Sequence, residues 1–453
     1  MSFNAASAPN PTHAMPAVPF AIHPLREALY DELHARPFHL VATPQKLTHL
    51  AFRATPAELD RSFVQLRDLC RRYNANQPDT ETPFFLQEFG QFTVRWERHT
   101  EFYTLTFMAP DAPGADPFAE PVLNLLPNDW LQALPGQAVA AFHLVVETAV
   151  TPCDTATLYR FFEGQKLILS LPKSGKAQLC TAFKLHGDGF GRFHIRNLGI
   201  DDYQMGRLVQ RVIELETYRL LAQLSLPIAK RIAPELNELD QRLTAILSSL
   251  STLENAREER ELLDSLSQLA ARIEAFRSET NYRFGATRAY HDLVLSRVQN
   301  IRETEVEEHM SVHEFLSRRL VPALRTCESV QTRLEDLSRR IERAGDLLRT
   351  RVNLTMQETN KSLLASMDRR GRLQFRMQET VEGLSVAAIS YYMVGLAGYL
   401  FGGLPLADWG LEKGVLMALS VPAVVALVWW MTQRIKHRLI KDPLERKPPA
   451  SGS

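Results

Sequence analysis

The sequence predicts an α+β cytoplasmic domain, then a long α-helical, coiled-coil stalk, then two C-terminal transmembrane helices. Three observations predict it. Short alternating apolar runs broken by Pro and Gly fill the first 200 or so residues, heptad-spaced apolar residues run through the middle, and two uncharged apolar stretches stand near the end. The boundaries fall at residues 1–21 for a disordered leader, 22–203 for the α+β domain and 204–383 for a helical hairpin and stalk. Transmembrane helices follow at 384–401 and 414–432, with an outer loop at 402–413 between them and a basic cytoplasmic tail at 433–453.

The leader is rich in Ala, Pro, Asn and Ser and lacks the basic start and apolar stretch of a signal peptide. In the α+β domain, Phe92, Val94 and Trp96 alternate with polar neighbours, and Tyr103, Leu105 and Phe107 follow a turn, which predicts a hairpin. Further strands are predicted at Ala138 to Glu147, Lys166 to Leu171, Gln178 to Leu185 and Arg192 to Ile195. Helices are predicted at Leu25 to Ala35, Pro56 to Tyr73 and Thr155 to Phe162.

From Met205 onward the period is helical. One amphipathic helix carries Leu208, Val212, Leu215 and Leu224 and is expected to stop at Pro227 and Pro234. Leu236, Leu239, Leu243, Ile246, Leu250 and Leu253 step by three and four, the phase slips across Glu254 to Glu261, and Leu262, Leu266, Leu269, Ile273 and Phe276 resume it. A slip inside a charged run suggests a hairpin or a stutter. The third run is Cys327, Val330, Leu334, Leu337, Ile341, Ala344 and Leu348, with no proline between it and the first span. A continuous helix from Ala323 to Phe401 would be on the order of 120 Å long. Its apolar stripe needs cover, either from the preceding helices or from copies of the chain, and self-association is the favoured expectation.

The stretches Gly383 to Ala407 and Gly414 to Gln433 hold no Asp, Glu, Lys, Arg or His, and about 20 such residues cross a bilayer as a helix. Arg369, Arg370, Arg372 and Arg376 precede the first span and Arg434, Lys436, Arg438 and Lys441 follow the second, whereas the loop between offers only Lys413 among the basic residues. Cytoplasmic retention of such charges places both termini inside. Ala387, Ala388, Tyr391, Gly395, Gly398 and Gly402 share one side of the first span, a face suited to close helix packing or to lining a pore. Asp408 and Glu412 are the acidic groups of the outer loop.

Composition excludes several classes of function. Lys plus Arg and Asp plus Glu both total 52, so nothing in the overall charge favours a nucleic-acid partner. The four cysteines include no C-x-x-C pair and read as buried, reduced thiols. No nucleophile elbow or metal-spaced ligand set is visible, and LPKSGKAQL departs from the phosphate-binding loop pattern, so no enzyme, cofactor or metal is expected. Two polar clusters remain: Glu32, His34 and Arg36 at a predicted helix end, and Glu97, His99 and Glu101 at the hairpin tip. A His among carboxylates serves as a general base or a metal ligand. The plainer readings, a salt-bridged helix end and a solvated turn, are favoured.

Several long blocks, among them HPLREALYDELHARPF, RWERHTEFYTLTF, YRFGATRAYHDLV and the stretch DLLRTRVNLTMQETNKSLLASMDRRGRLQFRMQETVEGLSVAAISYY, resemble a bacterial family of uncharacterised membrane-anchored proteins that carries no assigned activity. More distantly, the layout is similar to that of the CorA-like magnesium transport proteins, pentameric channels. Those carry a Gly-Met-Asn triplet at the outer end of the first span, where this chain reads GYLFGGLP. What the resemblance implies is a homo-oligomeric inner-membrane channel or transporter. The alternative is a non-conducting, membrane-tethered scaffold or sensor whose cytoplasmic domain binds a protein or a small ligand.

Overall fold

A computed structural model of the chain describes residues 20–441 except 22, 27–28, 31–39, 79–81, 112–115, 150, 251–255 and 404–412. Residues 1–19 of the predicted leader therefore lie outside the described residues, as does most of the helix expected at Leu25 to Ala35. The chain divides into two compact units, one of residues 1–253 with 261–345, the other of 254–260 with 346–453.

Among the described residues of the first unit nine strands form one sheet: β1 Gln45–Arg53, β2 Phe84–Glu88, β3 Thr93–Arg98, β4 Phe102–Pro110, β5 Gln137–Thr148, β6 Ile168–Leu171, β7 Ala177–Thr181, β8 Gly191–Asn197 and β9 Thr304–Glu305. Their order is β2-β3-β4-β1-β5-β8-β7-β6-β9, antiparallel except for the β5–β8 pair. The helices are α1 Pro56–Arg72, α2 Asn128–Gln132, α3 Thr155–Phe161, α4 Asp202–Gln223, α5 Leu226–Ser249 and α6 Ala256–Ile301, followed by α7 Val312–Gly403 and α8 Lys413–Lys441.

Local chemistry sets these limits. Thr55 precedes α1, with Pro56 at its first position, and the Thr55 N–H donates to Glu58 Oε2 at 2.8 Å, a capping box. Asp154 and Asp201 cap α3 and α4 by accepting from Thr157 N and Gln204 N. The two faces of the sheet are covered differently because alternate residues point to opposite sides. Val94, Trp96, Tyr103, Leu105 and Phe107 share a core with Leu66 and Leu69 of α1 and with Trp130 of α2. Leu47, Ala51, Phe142 and Leu144 share another with Leu208, Val212 and Leu215 of α4.

The heptad runs find their partners within this unit. Leu236 and Leu243 of α5, Leu269 and Ile273 of α6, and Leu334 and Ile341 of α7 lie in one buried cluster, each worth about 1.5–3 kcal/mol of burial. Cover from the preceding helices therefore accounts for the stripe along Cys327 to Ala344, which needs no second copy of the chain to bury it.

Three limits differ from expectation. Pro234 lies inside α5 rather than ending a helix. Proline deprives the Lys230 carbonyl of its partner, but both residues face solvent while Ile232 and Leu236 hold the buried face. Strand β7 stops at Thr181 because Phe183 adopts a left-handed backbone, φ 48°, that cannot continue a ladder. Helix α7 begins at Val312, so Pro322 sits within it and not before it.

In the second unit, Glu259 Oε1 accepts a hydrogen bond from Thr355 Oγ1 at 3.1 Å and lies beside Arg351. Further along, a Cβ added to Gly398 of α7 would meet Met417 Cε of α8 at 2.9 Å, so the two helices approach closely there. Two helical stretches, ending at Leu400 and spanning Met417–Ile435, are long and apolar enough to cross a membrane, and only 6 % of each apolar window is buried.

Candidate functional site

The face of the sheet beneath α4 carries a group of polar residues on β1, β3 and β4. The strand register explains the grouping: Thr106 of β4 stands opposite both His49 of β1 and Arg95 of β3, and Thr104 stands opposite Ala51 and Glu97. A row Arg95–Thr106–His49 thus crosses three adjacent strands, with Glu97 and Thr104 in the next row.

His49 is fully enclosed. Its Nδ1 lies 2.8 Å from Thr106 Oγ1 and its Nε2 3.1 Å from Thr217 Oγ1 of α4. Burial, reinforced by the charges of Arg95 and His99, pushes its pKa down to about 3, so the ring is neutral near pH 7. A neutral imidazole has one N–H, so one threonine accepts from the ring and the other donates to it. The pair of hydroxyls makes His49 a hydrogen-bonded link from the sheet to α4.

Around it the charges are matched. Arg95 Nη2 donates to Glu97 Oε1 at 3.0 Å, Gln210 Nε2 donates to Glu214 Oε1 at 2.8 Å, and Arg297 of α6 pairs with the other oxygen of Glu214. Glu97, Gln210, Glu214 and Arg297 wall a cleft of about 290 Å³ together with His49, His99, Thr104 and Tyr218. That size is at the lower end for a small-molecule site. A neighbouring pocket of about 40 Å³ reaches Thr106 and Gly206. Two buried polar atoms here, Thr104 Oγ1 and Arg95 Nε, have no hydrogen-bond partner among the described residues. Leaving a buried hydroxyl unmatched costs about 1–3 kcal/mol, and such atoms mark places where a ligand or water completes the bonding.

The hairpin-tip cluster of the sequence is thereby split. Glu97 and His99 wall the cleft, His99 stacking on Phe102 with ring centroids 4.1 Å apart. Glu101 instead turns to α6, where Arg283 grips it with two bonds of 2.8 Å and the Tyr290 hydroxyl donates at 2.7 Å. Burial acts to raise the Glu101 pKa, but the bonds from Arg283 and Tyr290 outweigh it and hold the carboxyl below its ordinary value. Glu101 is a structural tie rather than a free acid, and the solvated-turn reading does not describe it. Glu32, His34 and Arg36 lie outside the described residues, as do Asp408 and Glu412.

Within the second unit, the small-residue face is divided. Gly398 is taken up by Met417, whereas Tyr391 is 79 % exposed and no described residue stands within 4 Å of a Cβ built on Gly395. Gly402 lies in the last turn of α7.

Sequence reasoning missed His49, Thr104, Thr106, Gln210, Glu214 and Arg297, which come from four segments far apart in the chain. One signal was present: a histidine in the apolar run QKLTHLAFR, on the same face as Leu47 and Ala51. It also missed His143, on the opposite face of the sheet, which bonds Thr48 Oγ1 at 2.9 Å, stacks on Phe190 and has its pKa lowered by burial to about 4. Among the described residues, no three His, Cys, Asp or Glu are grouped to hold a metal ion.

No curated protein matches the chain. A family model described as a protein of unknown function, DUF3422, matches residues 21–439, and with nearly the whole length inside that match the chain belongs to this family.

Proposed function

We propose that this is a membrane-anchored binding protein: the end of α7 and the apolar part of α8, residues 414–432, cross a bilayer, and the α/β unit holds a small polar ligand in the cleft under α4. Both termini then face the cytoplasm of a bacterial cell, from the basic flanks of the two spans. The observation that carries the anchoring is the near-complete exposure of two apolar windows, since a core helix of a soluble protein buries its apolar side. The ligand-binding half rests on the unmatched Thr104 hydroxyl in a cleft that presents both signs of charge, a lining suited to a small zwitterion.

The reading is one of binding and not of catalysis. The carboxylates Glu97 and Glu214 of the cleft are paired with arginines, and both nitrogens of His49 are engaged in hydrogen bonds. The test is a thermal-shift titration of the full chain in detergent with glutamate, glutamine and arginine as probes, repeated on Thr104→Val. A shift that weakens on the order of tenfold in the variant supports the site. Absence of any shift with all three probes contradicts it.

A second reading, a homo-oligomeric CorA-like channel with a coiled-coil stalk, is favoured by the uncovered face at Tyr391 and Gly395, where a second copy would pack. Ion flux through proteoliposomes containing the purified protein supports it. A monomeric mass in detergent removes it, because an axial pore needs several copies.

A further inference from the structure

A second group of polar residues in the first unit has a different character, for it gathers cations from three segments. Strands β6 and β9 pair antiparallel with Leu171 opposite Thr304, and the turn Pro172–Gly175 that follows β6 and carries Lys173 packs beside β9, which the chain enters from Arg302. Lys173 and Ser174 hold left-handed backbones, φ 56° and 57°, and so does Arg302 at φ 51°. L-residues with a Cβ disfavour that region, and it recurs where surrounding structure fixes a functional side chain. Arg211 of α4 donates from Nη1 to the Asn300 carbonyl at 2.9 Å, which brings it to the same end of α6. Arg207 stands one turn earlier on the same side of α4, bonded to the Tyr203 hydroxyl at 2.6 Å.

Three nearby carboxylates are committed elsewhere. Glu303 accepts from Ser170 Oγ and from the backbone N–H groups of Val312, at 3.2 Å, and His313, at 2.7 Å. Glu214 serves Arg297 and Gln210, and Asp201 caps α4. Among the described residues no ion pair includes Lys173 or Arg302. Partial burial, then the charges of Arg211, Arg302 and Arg207, push the Lys173 ammonium below its ordinary pKa.

Like charges gathered from three segments repel one another, and a multivalent anion between them would reverse the sign of that interaction. We propose that Lys173, Arg207, Arg211 and Arg302 bind a phosphate group. Guanidinium forks match the oxygens of a tetrahedral dianion, and a lysine adds a mobile point charge. The phosphate monoester is the shared chemistry of two sources, a soluble phosphorylated compound and a lipid headgroup.

The experiment uses the full chain in a neutral detergent at fixed ionic strength, with chloride as the control anion. Pyrophosphate, inorganic phosphate and a short-chain phosphatidate doped into the micelles are titrated, and binding is read by the thermal midpoint and by phosphorus NMR. Expected is a response beyond chloride that the triple variant Lys173→Gln, Arg211→Gln, Arg302→Gln loses, while its ligand-free midpoint stays level or rises because repulsion has been relieved. A response to pyrophosphate or phosphate supports the site and assigns it to soluble compounds; a response to phosphatidate alone supports it and assigns it to lipid. If the triple variant does not fold, Arg302→Gln at its exposed position carries the test, with affinity expected to fall on the order of tenfold. No response to any of the three beyond chloride, or the same response in the variant, overturns the proposal.

Discussion

Two stretches of α7 are both rich in apolar residues, and the chain treats them in opposite ways. From Cys327 to Ala344 every heptad position is buried, against α5 and α6. From Leu384 to Leu400 large apolar side chains such as Leu384, Tyr391, Leu396 and Tyr399 stand exposed. Burial of apolar area is the main favourable force in water, and the proposed anchoring accounts for a chain that covers the first stretch and leaves the second bare. The charged groups repeat the contrast. In the first unit Glu101 and Arg283 are buried and matched, whereas residues 384–400 contain no charge that needs matching.

The largest effect that sharpens the contrast is expected from Glu101→Ala. It leaves Arg283 buried without its carboxylate and should cost about 3–5 kcal/mol in chemical unfolding of the full chain in detergent. Next comes a matched pair of truncations in α7. Leu334→Ala, at a side chain 1 % exposed, should cost about 2–5 kcal/mol by the same measurement, and Leu396→Ala, at one 63 % exposed, should leave the unfolding midpoint in place. Equal losses at the two positions would break the contrast.

A smaller effect concerns pH. His49 has a folded pKa of about 3 against 6.5 in the unfolded chain, so the unfolded state binds more protons between those values. Its contribution is present above pH 6.5 and is lost as pH falls toward 3, by about 3 kcal/mol at most between pH 7 and pH 4. Glu101, whose folded pKa is also depressed, adds a loss at lower pH, below the ordinary carboxylate value of 4.5. Thermal unfolding of His49→Gln across this range should show a flatter dependence above pH 4.5 than the parent protein. The smallest effect is expected from Gly398→Ala: the added methyl meets only the flexible end of Met417, and the unfolding midpoint should move by less than about 1 kcal/mol.

Much of this contrast was legible in the sequence, because it is written in local periods. The 3-and-4 spacing of Leu236 to Ile246 and of Cys327 to Leu348 announced buried helix faces, and the alternation around Phe92 to Phe107 announced the hairpin. The cleft was not legible, since His49, Thr106 and Arg95 become neighbours only through strand register, and Glu214 and Thr217 reach them from α4. The fate of Glu101 was hidden for the same reason: its partner Arg283 lies 182 residues away, and no local pattern distinguishes a tied carboxylate from a solvated one. Proline misled at Pro234, where the buried face of α5 outweighs the missing hydrogen bond.

Alkaline carbonate extraction of cell membranes carrying the full chain, alongside a chain truncated before Leu384, tests the proposed anchoring most directly. The full chain is expected to stay in the pellet, and the truncated chain, which keeps the α/β unit and the helical core, to leave with the supernatant. Recovery of the full chain in the supernatant would contradict it.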